Sequence, residues 1–228
     1  LCPAAGLLAL PEADPVALAL LAANPPTALL MLELFGHMQP GDWVIQNVAN
    51  SGVGGYLIQL ARQRGFRTVN VVRREGAVAA VQDQGGDVVL VDGDDLHHRV
   101  KQATGGAPVR LGIDAVGGMA IERLARCLAE GGTLVNYGLM SGEPCVVSAQ
   151  SFVFNDLTLR GFWLAKWFRV ASRDAQKALY GELTHALAAG HLKARIHATY
   201  PVQQIQKAVA AAAAGERDGK ILIVPGAA

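Results

Sequence analysis

The chain has 228 residues, of which 51% are apolar, and its 20 Lys and Arg against 19 Asp and Glu leave a formal net charge of +1. That length allows one large or two modest domains with a core big enough to need no disulfide or metal. The near-neutral charge, without a basic stripe or aromatic-basic interleaving, argues against nucleic acid or an anionic membrane as a partner.

Cys2, Cys127 and Cys145 are odd in number, share no metal-ligand spacing and read as reduced thiols in a cytosol-like compartment. The longest apolar stretches, 16–23 and 28–34, are separated by Asn24-Pro25-Pro26 and fall short of a membrane span. The chain begins at Leu1 without a basic leader, so no signal peptide is expected, and its start reads as the interior of something longer. A short helix is expected from Asp14 to Ala23, with Asp14 as cap and Pro15 in the first turn. Residues 24–27 are expected to interrupt the pattern before a second helix from Ala28 to Phe35, ended by Gly36; Gln39-Pro40-Gly41-Asp42 is a turn.

The next stretch organises the rest. An apolar run from Trp43 to Val48 breaks at Ala49-Asn50-Ser51-Gly52-Val53-Gly54-Gly55 and continues with helical spacing from Tyr56 to Arg64. Gly65 suits a helix C-cap, and Phe66 to Val72 supplies a second β-branched run, completing a βαβ unit. A phosphate can approach only where the backbone is unencumbered and presents N–H groups at a helix N-terminus. The G-x-G-x-x-G pattern of such turns reads here as Ala49-x-Ser51-x-x-Gly54, with its first two glycines replaced. From the turn alone, a phosphate cradle and a tight βα turn of another doubly wound protein both stay open.

Beyond Arg74, helical stretches near 77–84, 96–104 and 119–129 alternate with strands near 88–91, 109–116 and 133–136, the mark of a parallel sheet covered on both faces. Leu157 to Leu164 reads as the last strand of that sheet. Helices follow from Ser172 to Ala189, ended by Gly190, and from Val202 to Ala214, opened by Pro201 and stopped by Gly215; Lys220 to Val224 is a short closing strand. The second strand of the βαβ unit runs directly into Arg73-Arg74, where folds selecting NAD place an acid for the ribose hydroxyl and folds selecting NADP place Arg. Glu75 is the competing acid, and a pair of solvated arginines is the bland alternative.

His97-His98 after Asp92, Asp94 and Asp95 has the composition of a metal cluster but reads as a solvated helix start. Asp114, between Ile113 and Ala115 at a strand end, reads as an organiser of nearby backbone rather than a general base. Trp163 and Trp167 are candidates for ligand stacking, Trp167 more in keeping with packing.

Six segments in order carry a resemblance: Asn24-Pro25-Pro26-Thr27-Ala28, Gln39-Pro40-Gly41-Asp42, Val44-Ile45-Gln46-Asn47, Asn50-Ser51-Gly52-Val53-Gly54, Asn70-Val71-Val72-Arg73 and Gly161-Phe162-Trp163-Leu164. Together they resemble the zinc-independent 2-enoyl thioester reductases of the medium-chain dehydrogenase/reductase superfamily, whose mitochondrial members reduce trans-2-enoyl thioesters with NADPH. The resemblance implies an α/β fold, a doubly wound parallel Rossmann sheet with remnants of a GroES-like catalytic domain at both ends. It implies residues 1–23 as the tail of that domain, 24–191 as the NADP-binding domain and 192–228 as a segment returning to the catalytic domain.

Carried over by position, Asn24 would reach the nicotinamide side, Asn50, Ser51, Gly52 and Val53 the pyrophosphate, with Gly54 completing the turn, and Arg73, Arg74 and Glu75 the adenosine phosphate. Tyr137, Gly138, Leu139 and Met140 with Phe162, Trp163, Leu164 and Ala165 would wall the nicotinamide, and Lys220 would reach the cofactor from the closing strand. The family's catalytic tyrosine matches none of Tyr56, Tyr137, Tyr180 or Tyr200 in context, so no catalytic residue and no metal ligand is assigned.

The implied activity is NADP(H)-dependent reduction of an enoyl thioester carried on coenzyme A or acyl carrier protein, this chain being the cofactor-binding portion and inactive alone. An NADPH:quinone oxidoreductase and a non-catalytic NADP-binding protein are the alternatives. A homodimer through the sheet edge at Leu157 to Phe162 is expected, with neither nucleic acid nor membrane as partner. The compartment is cytoplasmic, or mitochondrial if a transit peptide precedes Leu1.

Overall fold

Residues 14–214 and 219–225 are described in the computed structural model. Asp14 caps as its sequence suggests, accepting the Val16 N–H at 3.0 Å, with Pro15 at the first helical position. The helix is much shorter than expected: α1 (Pro15–Leu18) tightens into turns in which Leu20 and Leu21 donate to the carbonyls of Ala17 and Leu18. The second helix is longer than expected, α2 (Asn24–Phe35), because Pro25 and Pro26 fall in the first turn, where a missing N–H costs nothing. Its residues from Thr27 to Leu32 are all buried, which is why it carries no one-sided apolar stripe.

Residues 27–163 form one compact unit around a six-stranded parallel sheet. Its elements are β1 (Trp43–Gln46), α3 (Gly52–Gln63), β2 (Arg67–Val72), a 3₁₀ turn (Glu75–Ala77) leading into α4 (Val78–Gln82), β3 (Val88–Val91), α5 (Leu96–Ala103), β4 (Val109–Asp114), α6 (Gly118–Ala125), β5 (Thr133–Asn136), a π-helical turn (Gln150–Phe154) and β6 (Thr158–Gly161). The strand order is β3-β2-β1-β4-β5-β6, that of a doubly wound dinucleotide fold, with its switch point between β1 and β4.

Both faces of the sheet are covered. On one, Leu96 and Val100 of α5 and Ile121, Leu124 and Ala125 of α6 pack with Trp43, Ile45, Val69 and Val71; on the other, Ile58 of α3 and Val81 of α4 pack with Ala49, Val72 and Ala77. The third helix begins at Gly52, four residues before the expected Tyr56, because Ser51 caps it and Gly54 lets its first turn close onto Ala49. Gly65 ends the cap at φ 71°, with the Phe66 N–H returning to the Ala61 carbonyl at 2.9 Å.

Residues up to 26 and from 164 onward form the second unit. It contains α7 (Leu164–Val170), α8 (Arg173–Ala188), β7 (Ile196–Pro201), α9 (Ile205–Ala213) after a 3₁₀ turn at Val202–Gln204, and β8 (Lys220–Val224). Ser172 caps α8 through the Ala175 N–H at 3.1 Å. The expected strand 157–164 is shorter, since Leu164 already opens α7, and β7, which pairs in parallel with β8, was not anticipated. Pro201 ends β7 and is also the N-cap of the 3₁₀ turn Val202–Gln204 that leads into α9, so the helical segment opens after it as expected but as a 3₁₀ turn first. Cys2, most of the 1–23 tail and Gly215, expected to stop the last helix, lie outside the described residues. Among the described residues no helix is long and apolar enough to cross a membrane.

Candidate functional site

At the carboxyl end of β1 the backbone turns sharply. Val48 sits at φ 50°, a left-handed conformation that is costly for a β-branched residue, and Ser51 N–H bonds back to its carbonyl at 2.9 Å. Ser51 then accepts the Gly54 N–H at 3.1 Å and starts α3. A Cβ on Gly54 would lie 2.5 Å from the Ala49 carbonyl oxygen, so the helix approaches the strand end as closely as it does only because that residue is glycine. Buried Gln46 braces the same turn, donating to the Gly54 carbonyl at 3.1 Å and to Asn70 of β2 at 2.8 Å.

A second polar network joins the ends of β1, β4 and β5. Asp114 is fully buried; its carboxylate accepts Asn47 Nδ2 at 2.5 Å, Asn136 Nδ2 at 2.6 Å, and the N–H groups of Val116 and Gly117 at 3.2 and 3.0 Å. Asn47 in turn accepts the Ala115 N–H at 2.8 Å, and Asn136 donates to the Gly138 carbonyl at 2.9 Å. Asp114 therefore organises the loops after β4 and β5, as its position in the sequence suggests. Those loops are zipped together by Met140 N–H to Ala115 O at 3.1 Å and Ser141 N–H to Val116 O at 3.0 Å. A Cβ on Gly138 would meet the Ala115 carbonyl at 2.7 Å, which leaves no room for a side chain. The Tyr137 hydroxyl is hydrogen-bonded to that of Ser51, and burial pushes its pKa up to about 12.

Between these loops and the end of β2 lies a cleft of about 460 Å³. Of the sequence-predicted residues it brings together Asn50, Arg73, Arg74 and Met140. Both arginines are exposed, and Glu75 opens the 3₁₀ turn just after them. Leu139 and Trp163 are exposed, whereas Phe162 is buried edge-on against Phe35 at 6.0 Å. Asn24, Leu164, Ala165 and Lys220 belong to the second unit, where they begin α2, α7 and β8.

Asn47, Asp92 and Arg123 also line the cleft and were not singled out for it from sequence. Asp92, read only as part of an acidic run near His97, instead holds Arg123 of α6 through two bonds at 2.7 and 2.5 Å. Its place just past the end of β3 was the available signal, because ligands of open parallel sheets bind beyond strand carboxyl ends. His97 faces Arg126 at 3.4 Å, and burial together with that guanidinium pushes its pKa down. Among the described residues no group of three or more His, Cys, Asp or Glu is placed to hold a metal ion. Trp167 packs edge-on against Phe168 at 5.2 Å.

The chain is 38% identical over 211 residues to the mitochondrial enoyl-[acyl-carrier-protein] reductase of Rattus norvegicus, covering 90% of this chain and 57% of that one. It is 40% identical over 198 residues to the Homo sapiens protein of the same name, with 85% and 53% covered. The chain thus spans just over half the length of these relatives. Among solved structures, a putative NADPH:quinone reductase from Bacillus thuringiensis superposes with a TM-score of 0.85 at 24% identity, covering 93% of this chain and 65% of that one, a likeness of fold. The complex of Etr1p with NADP and crotonyl-CoA superposes with a TM-score of 0.78 at 25% identity, covering 89% and 59%. The description zinc-binding dehydrogenase matches residues 52–179, more than half of the chain. With that match, this strand order and these relatives, the chain belongs to the zinc-binding dehydrogenase family of the medium-chain dehydrogenase/reductase superfamily and is related to mitochondrial enoyl-acyl-carrier-protein reductases.

Proposed function

We propose that this chain carries the NADP(H) site of an enoyl thioester reductase. The observation that supports it best is the juxtaposition, around one cleft, of a close-packed strand-to-helix turn with Arg73 and Arg74 just past the end of the second strand. The residues suit the group: Gly54 lets the helix close onto the strand end, the start of α3 at Gly52 and Val53 would turn N–H groups toward a pyrophosphate, and two guanidiniums match a ribose-bound phosphate better than they match a hydroxyl.

Asn50 to Val53 would hold the pyrophosphate, and Arg73 and Arg74, with Glu75 beside them, the adenosine phosphate. Tyr137 to Met140 and Phe162 and Trp163, all of the unit 27–163, would border the nicotinamide. When bound, NADPH supplies the hydride that reduces the β-carbon of the enoyl thioester. The chain's own part is binding and orientation. The domain division at 23 and 191 belongs to the same proposal. So does self-association: all four residues of β6 are exposed at the outer edge of the sheet, and unpaired backbone groups there offer a second copy a strand to pair with. The Rattus norvegicus and Homo sapiens reductases it resembles are mitochondrial, and we place this chain in the same chemistry rather than in a fixed compartment.

The test follows reduced-nicotinamide fluorescence as the chain is added to NADPH or NADH, then adds crotonyl-CoA or a quinone. NADPH is expected to bind about tenfold or more tightly than NADH, and crotonyl-CoA to be reduced only slowly by the chain alone. Absence of NADPH binding removes the proposal. Turnover of the quinone with none of crotonyl-CoA moves the substrate to the quinone class.

A further inference from the structure

Asp92 places a carboxylate on the wall that also carries Arg73 and Arg74. A bare carboxylate there would oppose a phosphate and welcome a ribose hydroxyl, which is how an acid at a strand end selects the cofactor lacking the phosphate. It is not bare. Arg123, reaching from α6, meets it with Nε on Oδ1 at 2.7 Å and Nη2 on Oδ2 at 2.5 Å, a parallel two-bond pairing that only a guanidinium makes. Both side chains are about a quarter exposed, at 23% and 24%, so solvent screens the pair only partly.

The carboxylate is fixed from its own backbone as well. Asp92 N–H donates to the Val72 carbonyl at 2.8 Å, and its Oδ1 accepts the Gly93 N–H at 2.9 Å. The Val72 carbonyl belongs to the residue just before Arg73, so the acid and the two arginines share one piece of backbone. Three arginines against one aspartate leave this wall with a net charge of +2; without Arg123 it would carry +1, with the negative charge exposed.

We propose that Arg123 is a specificity-determining residue of the nucleotide site: by neutralising Asp92 it allows the cleft to take a ribose-bound phosphate dianion in place of a ribose hydroxyl. This rests on the reading of the cleft as an NADP(H) site and assigns Arg123 and Asp92 a role in it.

The experiment measures calorimetric affinities of the 228-residue chain for 2′,5′-ADP and 5′-ADP in the wild type, Arg123→Gln, Asp92→Asn and the double variant. Arg123→Gln lowers the preference for 2′,5′-ADP by about tenfold, chiefly through weaker binding of that ligand. Asp92→Asn, which breaks the same ion pair, keeps or raises the preference, and the double variant returns it to the wild-type ratio. Opposite directions for the two single substitutions separate a charge effect from loss of packing. Equal losses in both, or a double variant as poor as Arg123→Gln, overturn the proposal. A discriminating wild type whose ratio survives Arg123→Gln removes this proposal alone; a wild type that binds both nucleotides equally removes the NADP(H) reading and this proposal with it.

Discussion

Replacing Gly54 by alanine tests the close packing of the strand-to-helix turn after β1. The added Cβ would lie 2.5 Å from the Ala49 carbonyl oxygen and 2.8 Å from its carbonyl carbon and Cα. An ordinary carbon-to-oxygen approach is about 3.3 Å, so the atom is about 0.8 Å too close, and its neighbours are backbone that cannot rotate away. The first turn of α3 must therefore lift off the end of β1, straining the Gln46 bond to the Gly54 carbonyl. Overpacking of this kind costs about 1–3 kcal/mol. Urea unfolding followed by tryptophan fluorescence, to which buried Trp43 contributes, is expected to show a loss in that range, and nucleotide affinity is expected to fall about tenfold or more. Gly181→Ala is the control. It lies exposed within α8 with open space around its Cβ position, so alanine there should stabilise by about 0.5–1 kcal/mol. Stability and affinity of Gly54→Ala both within error of the wild type would refute the reasoning.

Asp114→Asn presents an amide to four hydrogen-bond donors, of which its single oxygen can still serve two. A loss of about 3 kcal/mol with faster amide exchange at Val116 and Gly117 is expected; a change below about 0.5 kcal/mol would show that the loops do not depend on that carboxylate. Burial pushes Tyr56 and Tyr137 up to about 12, so near-ultraviolet titration should show late-ionising tyrosines that Tyr56→Phe and Tyr137→Phe remove one at a time. Their folded-state values lie above the ordinary tyrosine value of 10.0; their contribution to stability is present below pH 10.0 and is lost as pH rises toward about 12. Cys127, pushed up to about 12 by burial and donating to the Arg123 carbonyl at 3.1 Å, should resist alkylation that modifies exposed Cys145, as peptide mapping would show; preferential labelling of Cys127 would contradict its placement.

Most of the sheet is legible in the sequence because its strands are β-branched runs separated by helical stretches, and a buried parallel sheet imposes that pattern. Val88–Val91 and Thr133–Asn136 were readable to the residue. The turn stood out through its glycines, and Arg73-Arg74 through following the second strand directly. What was hidden is long-range. Asn47, Asp114 and Asn136 are common turn residues one at a time, and only the parallel register of β1, β4 and β5 brings them together. Asp92 and Arg123 are 31 residues apart, each ordinary until β3 and α6 place them on one cleft. The start of α3 was misplaced because four residues rich in glycine argue against helix by propensity, whereas the Ser51 cap and the tight packing against Ala49 decide otherwise. The strand Ile196–Pro201 mixes polar and apolar residues without clean alternation, and its six residues are exposed or only half-buried.

The central claim is that the cleft beyond β2 takes an adenosine carrying a ribose phosphate. Calorimetric titration of the chain with 2′,5′-ADP and with 5′-ADP at one fixed salt concentration tests it without needing any catalytic group. A charged hydrogen bond is worth about 1.5–3 kcal/mol, so the phosphorylated nucleotide should bind at least about tenfold more tightly. Arg73→Ala and Arg74→Ala should each reduce that preference. Equal affinity for the two nucleotides, unchanged by either substitution, would contradict the account.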